Sequence, residues 1–405
     1  MALSSQPSTD TPAPYRRPGF WKRLRSGNLS DTQLGVLLLL PALLTLALVM
    51  FYPVVSVLWQ SVHSENLLRP YEGTPFVGLD NFRKVLWLQC RPAAESFWGD
   101  CAVWDASRFW GWRLLGLLAL VGVWWAALRG ALSKAAAVGW TTALILVFGV
   151  LLGFQPGENG RWGAARFWNS FQITVTILFV SVAGSFLVGL PLALLANVDS
   201  PIKWLGRVAL LLPWAMPRAF TGLTFAWLFQ SDYGVINDLF GRLGINALLR
   251  SFVDPVLIGD RGIFWLARDL PAVVAVNTTI IWKTSSFVAL ILLAGLQSID
   301  KSLYEAATVD GANAWQRFWR VTLPLLRPSI AVALIFRTLT AIQTFDEPFA
   351  MTRGGPGRTL ETLGLYIYNT VNASNIGYAA ALSVMLFALS LSITVFYLRW
   401  IYTND

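Results

Sequence analysis

Charge-free apolar runs dominate the chain: Thr32 to Ser64, Phe167 to Val198 and Thr362 to Leu398 contain no Asp, Glu, Lys or Arg. Each is longer than the ~20 residues that cross a bilayer as a helix. Hydropathy along the sequence predicts eight spans, at about 34–60, 111–129, 136–154, 168–196, 205–229, 271–296, 327–346 and 379–402. An even number returns the C-terminus to the side of the N-terminus. The second span is the shortest, because Arg113 and Arg129 leave only Leu114 to Leu128 free of charge. Either those arginines snorkel to the interfaces or the segment is a buried or interfacial hairpin. The predicted fold class is an all-α polytopic membrane protein.

Composition sharpens this. Hydrophobic residues make up 55% of the chain and charged ones 13%, against roughly 25% charged in an average globular protein. That is too little charge for a water-soluble surface. The net charge of +9 would suggest nucleic acid in a soluble domain, but the basic residues lie in the connections between apolar runs. There they orient the chain, and no nucleic-acid partner is expected. Lys and Arg are denser in the connections on the N-terminal side, which places both termini in the cytoplasm. Residues 1–33, rich in Ser, Thr and Pro and then basic (Arg16, Arg17, Lys22, Arg23, Arg25), form a cytoplasmic tail. The apolar run behind it is too long for a signal h-region, so 34–60 reads as an uncleaved first helix. An extracytoplasmic loop with two further spans occupies 61–166, and the remaining spans fill 167–402.

Several chemistries are excluded. Two cysteines and one histidine cannot form a Cys/His zinc cluster. No GxxxxGK[ST] occurs, so the chain cannot cradle ATP phosphates; Gly354-Gly355-Pro356-Gly357-Arg358 is a loop on the outer side. No Ser/His/Asp, HExxH or paired-carboxylate arrangement is present at membrane depth, and His63 reads as an interfacial residue. Cys90 and Cys101 share the first outer loop, in the compartment where bacterial thiols are oxidised, and their spacing permits a disulfide; the alternative is two unrelated small apolar residues.

Polar groups at membrane depth are costly and therefore candidates for function. Arg218, Lys283 and Arg337 fall near the middle of spans five, six and seven, among Trp214, Trp282, Thr284, Ser285, Ser286, Phe287, Thr340, Gln343 and Thr344. Hydroxyl and amide groups beside aromatic faces are what a sugar needs. The bland alternative is that Arg218 and Arg337 pair with Asp346, Glu347 or a partner subunit.

Between spans six and seven lies Glu305-Ala306-Ala307-Thr308-Val309-Asp310-Gly311, followed after nine residues by Val321-Thr322-Leu323-Pro324. Asp300 can cap a short helix here, Ala306 and Ala307 offer a smooth packing face, and Gly311 permits a turn that a β-carbon would hinder. These features describe a helix–turn–helix under the membrane. The segment resembles the EAA-x3-G-x9-I-x-LP signature of the inner-membrane permeases of binding-protein-dependent ABC importers, with Val321 in the Ile position. Further stretches resemble the sugar-importing, MalF-type branch: 189–197, Leu212-Pro213-Trp214, 230–237, 293–299, Gly354-Gly355-Pro356, Tyr366-Ile367-Tyr368, 377–381 and Val77-Gly78-Leu79-Asp80-Asn81-Phe82. Between the last of these and Asn169-Ser170 about eighty residues are inserted, a helical hairpin that leaves the downstream orientation unchanged.

The resemblance implies an ABC importer type I permease core in which 300–324 is a coupling loop, with Glu305, Ala306, Ala307, Asp310, Gly311, Leu323 and Pro324 docking on an ATPase. It implies a MalG-like second permease subunit, an ATPase dimer holding ATP and Mg, and an extracytoplasmic sugar-binding protein, with no cofactor in this chain. Trp214, Arg218, Thr284, Phe287, Thr340, Ala341 and Thr344 match positions lining translocated maltose, although most residue types differ. The expected function is permeation of a maltose-like sugar. The rivals are an anionic solute such as glycerol 3-phosphate, motivated by the three cations, and a stand-alone secondary transporter or membrane enzyme.

Overall fold

The computed structural model describes residues 31–86, 110–130, 165–252 and 254–402, with isolated positions at 137, 140, 141 and 144. Cys90, Cys101 and most of the expected span 136–154 lie outside the described residues. Two compact units are distinguished, residues 1–56 and 57–405. Within the first, helix α1 (Asp31–Ser61, which continues into the second unit) carries Pro41 and Pro53 and leaves its apolar side chains exposed, as a lipid-facing helix does.

The second unit follows with α2 (Asp80–Leu86), α3 (Trp110–Leu128) and the long α4 (Ala165–Asn197). Next come α5 (Lys203–Ala215), α6 (Arg218–Leu228), α7 (Val235–Arg242) and α8 (Ile245–Arg250). A small antiparallel hairpin, β1 (Ile258–Gly259) and β2 (Gly262–Ile263), leads into α9 (Asp269–Gln297). Then follow α10 (Lys301–Val309), α11 (Ala314–Arg317), a π-helical stretch Phe318–Thr322, α12 (Leu323–Ile342), α13 (Asp346–Thr352), α14 (Leu363–Asn372) and α15 (Ile376–Tyr402). Among the described residues, five helices are long and apolar enough to cross a membrane, or six if one bent pair counts as a span.

Helix α9 is the central element, packed between α4 and α12. Its approach to α4 is close: a β-carbon at Gly184 would collide with the Ile281 side chain, and one at Gly189 would meet the Ser285 carbonyl at 2.9 Å. Small residues let membrane helices come together where no hydrophobic effect drives them. Val288, Ala289 and Leu292 of α9 are fully buried with Ala193 and Leu326 in one apolar cluster, while Val175, Leu178, Ile342 and Leu382 build another.

Two expected spans need correction. The span 205–229 is not one helix: α5 and α6 meet at 95°. Pro217 supplies no N–H and pushes Met216 out of the helical region, to φ −68 and ψ 135. The span 327–346 starts earlier and ends at Ile342; residues 343–345 are non-helical before α13 begins.

Two family-like stretches earn their composition structurally. Asn81 is buried and donates to the carbonyls of Ser61 and His63, both at 2.9 Å, tying α2 to the chain that leaves α1. Asn237 receives the indole N–H of Trp265 at 2.9 Å and brackets Ile263 through both its amide oxygen and nitrogen, which fixes the β-hairpin. His63 is buried, stacked 4.2 Å from Trp59 with its Nδ1 2.7 Å from the Trp59 carbonyl.

Candidate functional site

The break between α5 and α6 exposes the last carbonyls of α5, and α9 supplies the group that meets them. Lys283, 2% exposed, points its ammonium at the carbonyls of Pro213 (3.2 Å), Trp214 (3.4 Å) and Met216. A cation at a helix C-terminus is favoured by the macrodipole and by the unsatisfied carbonyls there. The Trp214 ring lies 5.9 Å from the same nitrogen and stacks on Phe287 at 4.5 Å, and Phe287 meets Phe336 edge-on at 6.3 Å. Trp214 and Phe336 are exposed, so this aromatic row forms part of the surface.

Arg337 is equally buried, and its partners are neutral. Nη2 donates to Ser181 Oγ at 2.7 Å and Nε to Ser185 Oγ at 3.2 Å, both on α4, while Nη1 reaches Thr340 Oγ1 at 3.4 Å. The Ser185 and Thr284 hydroxyls lie 2.7 Å apart, so the network joins α4, α9 and α12. Sequence reading missed Ser181 and Ser185. Their signal was present as two hydroxyls four residues apart, hence on one face of a charge-free helix.

Arg218, half-buried at the start of α6, makes no side-chain hydrogen bond or ion pair among the described residues. The Glu347 carboxylate, 3% exposed in α13, lies within electrostatic range of all three cations but within 4 Å of none. The pairing of Arg218 or Arg337 with Asp346 or Glu347 is therefore not formed. Thr340 is half-buried and Gln343 exposed beside this group, whereas Thr344 and Ala341 are buried and the Thr344 carbonyl accepts from Thr362. Trp282 and Ser286 fall elsewhere: they line an apolar groove of about 960 Å3 between α4, α5 and α9, with Leu192, Leu210 and Ile281.

At the other end of α9 the chain builds a second constellation. Asp300 accepts from the Ser302 amide at 2.9 Å and caps α10, and that hydrogen bond holds its carboxyl below the ordinary value. Gly311 turns the chain at φ +80, a conformation that L side chains rarely adopt. Asn313 and Gln316 form a capping box that restarts the helix as α11. Arg317 reaches back to Thr308 Oγ1 at 2.7 Å, and the Tyr304 and Thr322 hydroxyls lie 3.1 Å apart, so α10 is tied to α11 and to the π-helical stretch after it. None of α10 is buried: Glu305, Ala306 and Asp310 are exposed, Ala307 is half-buried, and Leu303, Val309, Trp315 and Trp319 present apolar surface. Leu323 and Pro324 follow directly on the π-helical stretch within a continuous helix, Ala314–Ile342, and the Leu323 amide donates to the Phe318 carbonyl. Asp199 of the α4–α5 connection salt-bridges Lys203 (3.2 Å) and Lys301 (3.4 Å), which keep its carboxyl below the ordinary value.

Comparison with known proteins bears on both constellations. Residues 185–401 match the family described as "Binding-protein-dependent transport system inner membrane component". Over 240 residues, 59% of this chain and 73% of the relative, the sequence is 51% identical to the sulfoquinovosyl glycerol transport system permease protein SmoG of Agrobacterium fabrum. Over 236 residues, 58% and 75% respectively, it is 36% identical to the trehalose/maltose transport system permease protein MalF of Thermococcus litoralis. The crystal structure of a bacterial ABC transporter that imports the acidic polysaccharide alginate shares the fold, with a TM-score of 0.51, 22% identity and coverage of 73% of this chain and 96% of that one. With more than half of its length matched, the chain belongs to the inner-membrane components of binding-protein-dependent transport systems: it is a permease subunit of an ABC importer, a transport component rather than an enzyme.

Proposed function

We infer that this permease passes a maltose-like sugar or oligosaccharide, handed over by an extracytoplasmic sugar-binding protein. The observation that carries the reading is the aromatic row of exposed Trp214, half-buried Phe287 and exposed Phe336, beside Thr340 and Gln343. Aromatic faces take the C–H surface of a pyranose, and the hydroxyl and amide groups serve its hydroxyls. Lys283, Arg337 and Thr284 stand behind this wall and set the positions of α5, α4 and α12 around it. Names of relatives point the same way, since they include a trehalose/maltose and a sulfoquinovosyl glycerol permease.

A second permease subunit of the MalG kind completes the pathway, and an ATPase dimer docks on α10 and α11 from the cytoplasm, where both termini also lie. Exposed Val309, Trp315 and Trp319 are the apolar surface that such docking would cover. ATP-driven closure then moves this segment, and the membrane subunits alternate access.

A second reading rests on Arg218, the one of these three cations without a side-chain hydrogen bond among the described residues: the solute carries an anionic group. The sulfonate in the name of the 51% identical relative fits it. Uptake of labelled maltose, sulfoquinovosyl glycerol and glycerol 3-phosphate by the reconstituted importer tests both. Preference for maltose that survives Arg218→Gln supports the neutral sugar; preference for an anion, lost in that variant, supports the rival.

A further inference from the structure

Between the end of α6 at Leu228 and the start of α9 at Asp269 the chain folds into a lobe of α7, α8 and the β-hairpin. Its inner side is settled. Ile236, Phe240 and Leu249 pack on the buried cluster that joins Trp265 to Ala272 and Ala275 of α9. Asn246 donates to the Asn237 carbonyl at 3.1 Å and so joins α8 to α7. Arg250 Nη2 donates to the Gly259 and Asp260 carbonyls, at 2.8 and 2.7 Å, which pins α8 to the hairpin. A bonded frame therefore fixes which side chains point outward.

That outward side is apolar where a connection surrounded by water would be polar. Val235, Leu239, Leu243, Leu248, Phe252 and Val256 are all exposed, Phe252 to 81%. Val235, Leu239 and Leu243 recur every four residues and form one stripe along α7 and its C-terminal cap. At 3.6 residues per turn, this stripe has the inward face of Ile236 and Phe240 on one edge and Asp238 and Arg242, paired at 2.9 Å, on the other. A helix with one side on protein, the next apolar and the third charged suits a boundary between lipid and water. Its depth is marked by two aromatic rings: Trp227 in the last turn of α6 and Tyr233, two residues before α7, are exposed, and such rings settle among lipid headgroups. The charges nearby are matched within the lobe, Asp238 by Arg242 and Asp232 by Arg261 at 3.6 Å, which leaves apolar contact as the attraction.

We propose that α7 and α8 lie on the bilayer surface, with Val235, Leu239, Leu243 and Leu248 sunk about 5–10 Å into the boundary between headgroups and acyl chains. The connection is then a surface anchor that holds the far end of α6 at a fixed depth while the elbow at Met216-Pro217 sets the direction of α5. In the orientation proposed above the leaflet is the outer one. The inference rests on α6 and α9 being membrane segments; it does not depend on which solute is carried.

The test uses the complete importer in phosphatidylcholine nanodiscs, in a chain carrying Cys90→Ser and Cys101→Ser. Leu239→Cys, Leu243→Cys and Leu248→Cys each place a nitroxide label on the apolar side, and Gly241→Cys places one on the opposite side of α7. All four positions are exposed, so the labels displace no buried side chain, and co-purification of the ATPase shows that each complex is assembled. Electron paramagnetic resonance then compares collision of the label with oxygen, which concentrates in lipid, and with a nickel chelate, which stays in water. The oxygen-to-nickel ratio at the three leucine positions is expected to exceed that at Gly241 roughly fivefold or more, and to stay the same when phosphatidylglycerol is added. Three results would overturn the proposal: nickel access at all four positions, which would put the lobe in water; low access of both reagents at the leucine positions, which would mean that a second permease subunit or another part of this chain covers the stripe; or a high ratio only with phosphatidylglycerol, which would assign the contact to charge.

Discussion

Lys283 on α9 donates from Nζ to the main-chain carbonyl of Pro213 at 3.2 Å, at the point where the fifth expected span breaks. The proline that ends α5 leaves carbonyls without amide partners, and a lysine from the neighbouring helix supplies them. Charge, kink and partner helix form one device. This gives an intramembrane cation a reason to exist that requires no solute.

Replacing Lys283 with Met strips donors from the carbonyls of Pro213, Trp214 and Met216, at about 1–3 kcal/mol for each group left unsatisfied. The expected outcome is a lower level of the protein in the membrane and a lower melting temperature of the purified complex, with Lys283→Arg retaining much of both. Normal abundance and melting, with altered uptake, would return Lys283 to the solute pathway.

The Arg337 cradle predicts a cumulative loss of stability. Ser181→Ala and Ser185→Ala each remove one acceptor, and together they leave a buried guanidinium held chiefly by Thr340. Loss of a hydrogen bond to a charged group costs ~1.5–3 kcal/mol, so the double variant should melt well below either single one. Equal melting of all three would show that the arginine finds other partners.

At Gly311 the backbone, at φ +80, opposes any side chain, although the space beyond is open. Gly311→Asp is expected to strain the turn by roughly 1–2 kcal/mol and to reorient α10 against α11. The protein should still insert but lose ATPase co-purification and uptake. Retention of both would remove the docking assignment.

Glu361 gives a pH dependence with a defined sign. Its carboxyl lies below the ordinary 4.5 in the folded protein, because Arg166 and Asn369 outweigh the effect of burial. Its contribution to stability is complete above that value and disappears as pH falls through the lower folded value. Thermal stability in detergent should therefore drop on acidification below about pH 4.5, and Glu361→Gln should be less stable at neutral pH with a flatter acid limb. An unchanged acid limb would show that the pair with Arg166 contributes nothing.

Much of the architecture was legible because a bilayer demands long apolar runs: the expected spans at 34–60, 168–196, 271–296 and 379–402 correspond to α1, α4, α9 and α15. The cap at Asp300 and the turn at Gly311 were legible from local chemistry alone. What escaped was set by tertiary geometry. Hydropathy averages over Met216-Pro217 and cannot register a 95° turn. The short α13 and α14 are too brief for a periodic signal. Residues grouped by sequence depth were sorted by helix face, so that Trp282 and Ser286 of α9 front the apolar groove while Phe287 fronts Trp214.

The initial rate of maltose uptake into proteoliposomes, reconstituted with this chain, its second permease subunit, the ATPase and the sugar-binding protein, tests the central claim most directly. The account predicts uptake that requires both ATP and the binding protein and that falls at least tenfold when Trp214 and Phe287 are replaced by Ala in a complex that still assembles. Uptake indifferent to ATP, or undiminished by loss of the aromatic wall, would contradict it.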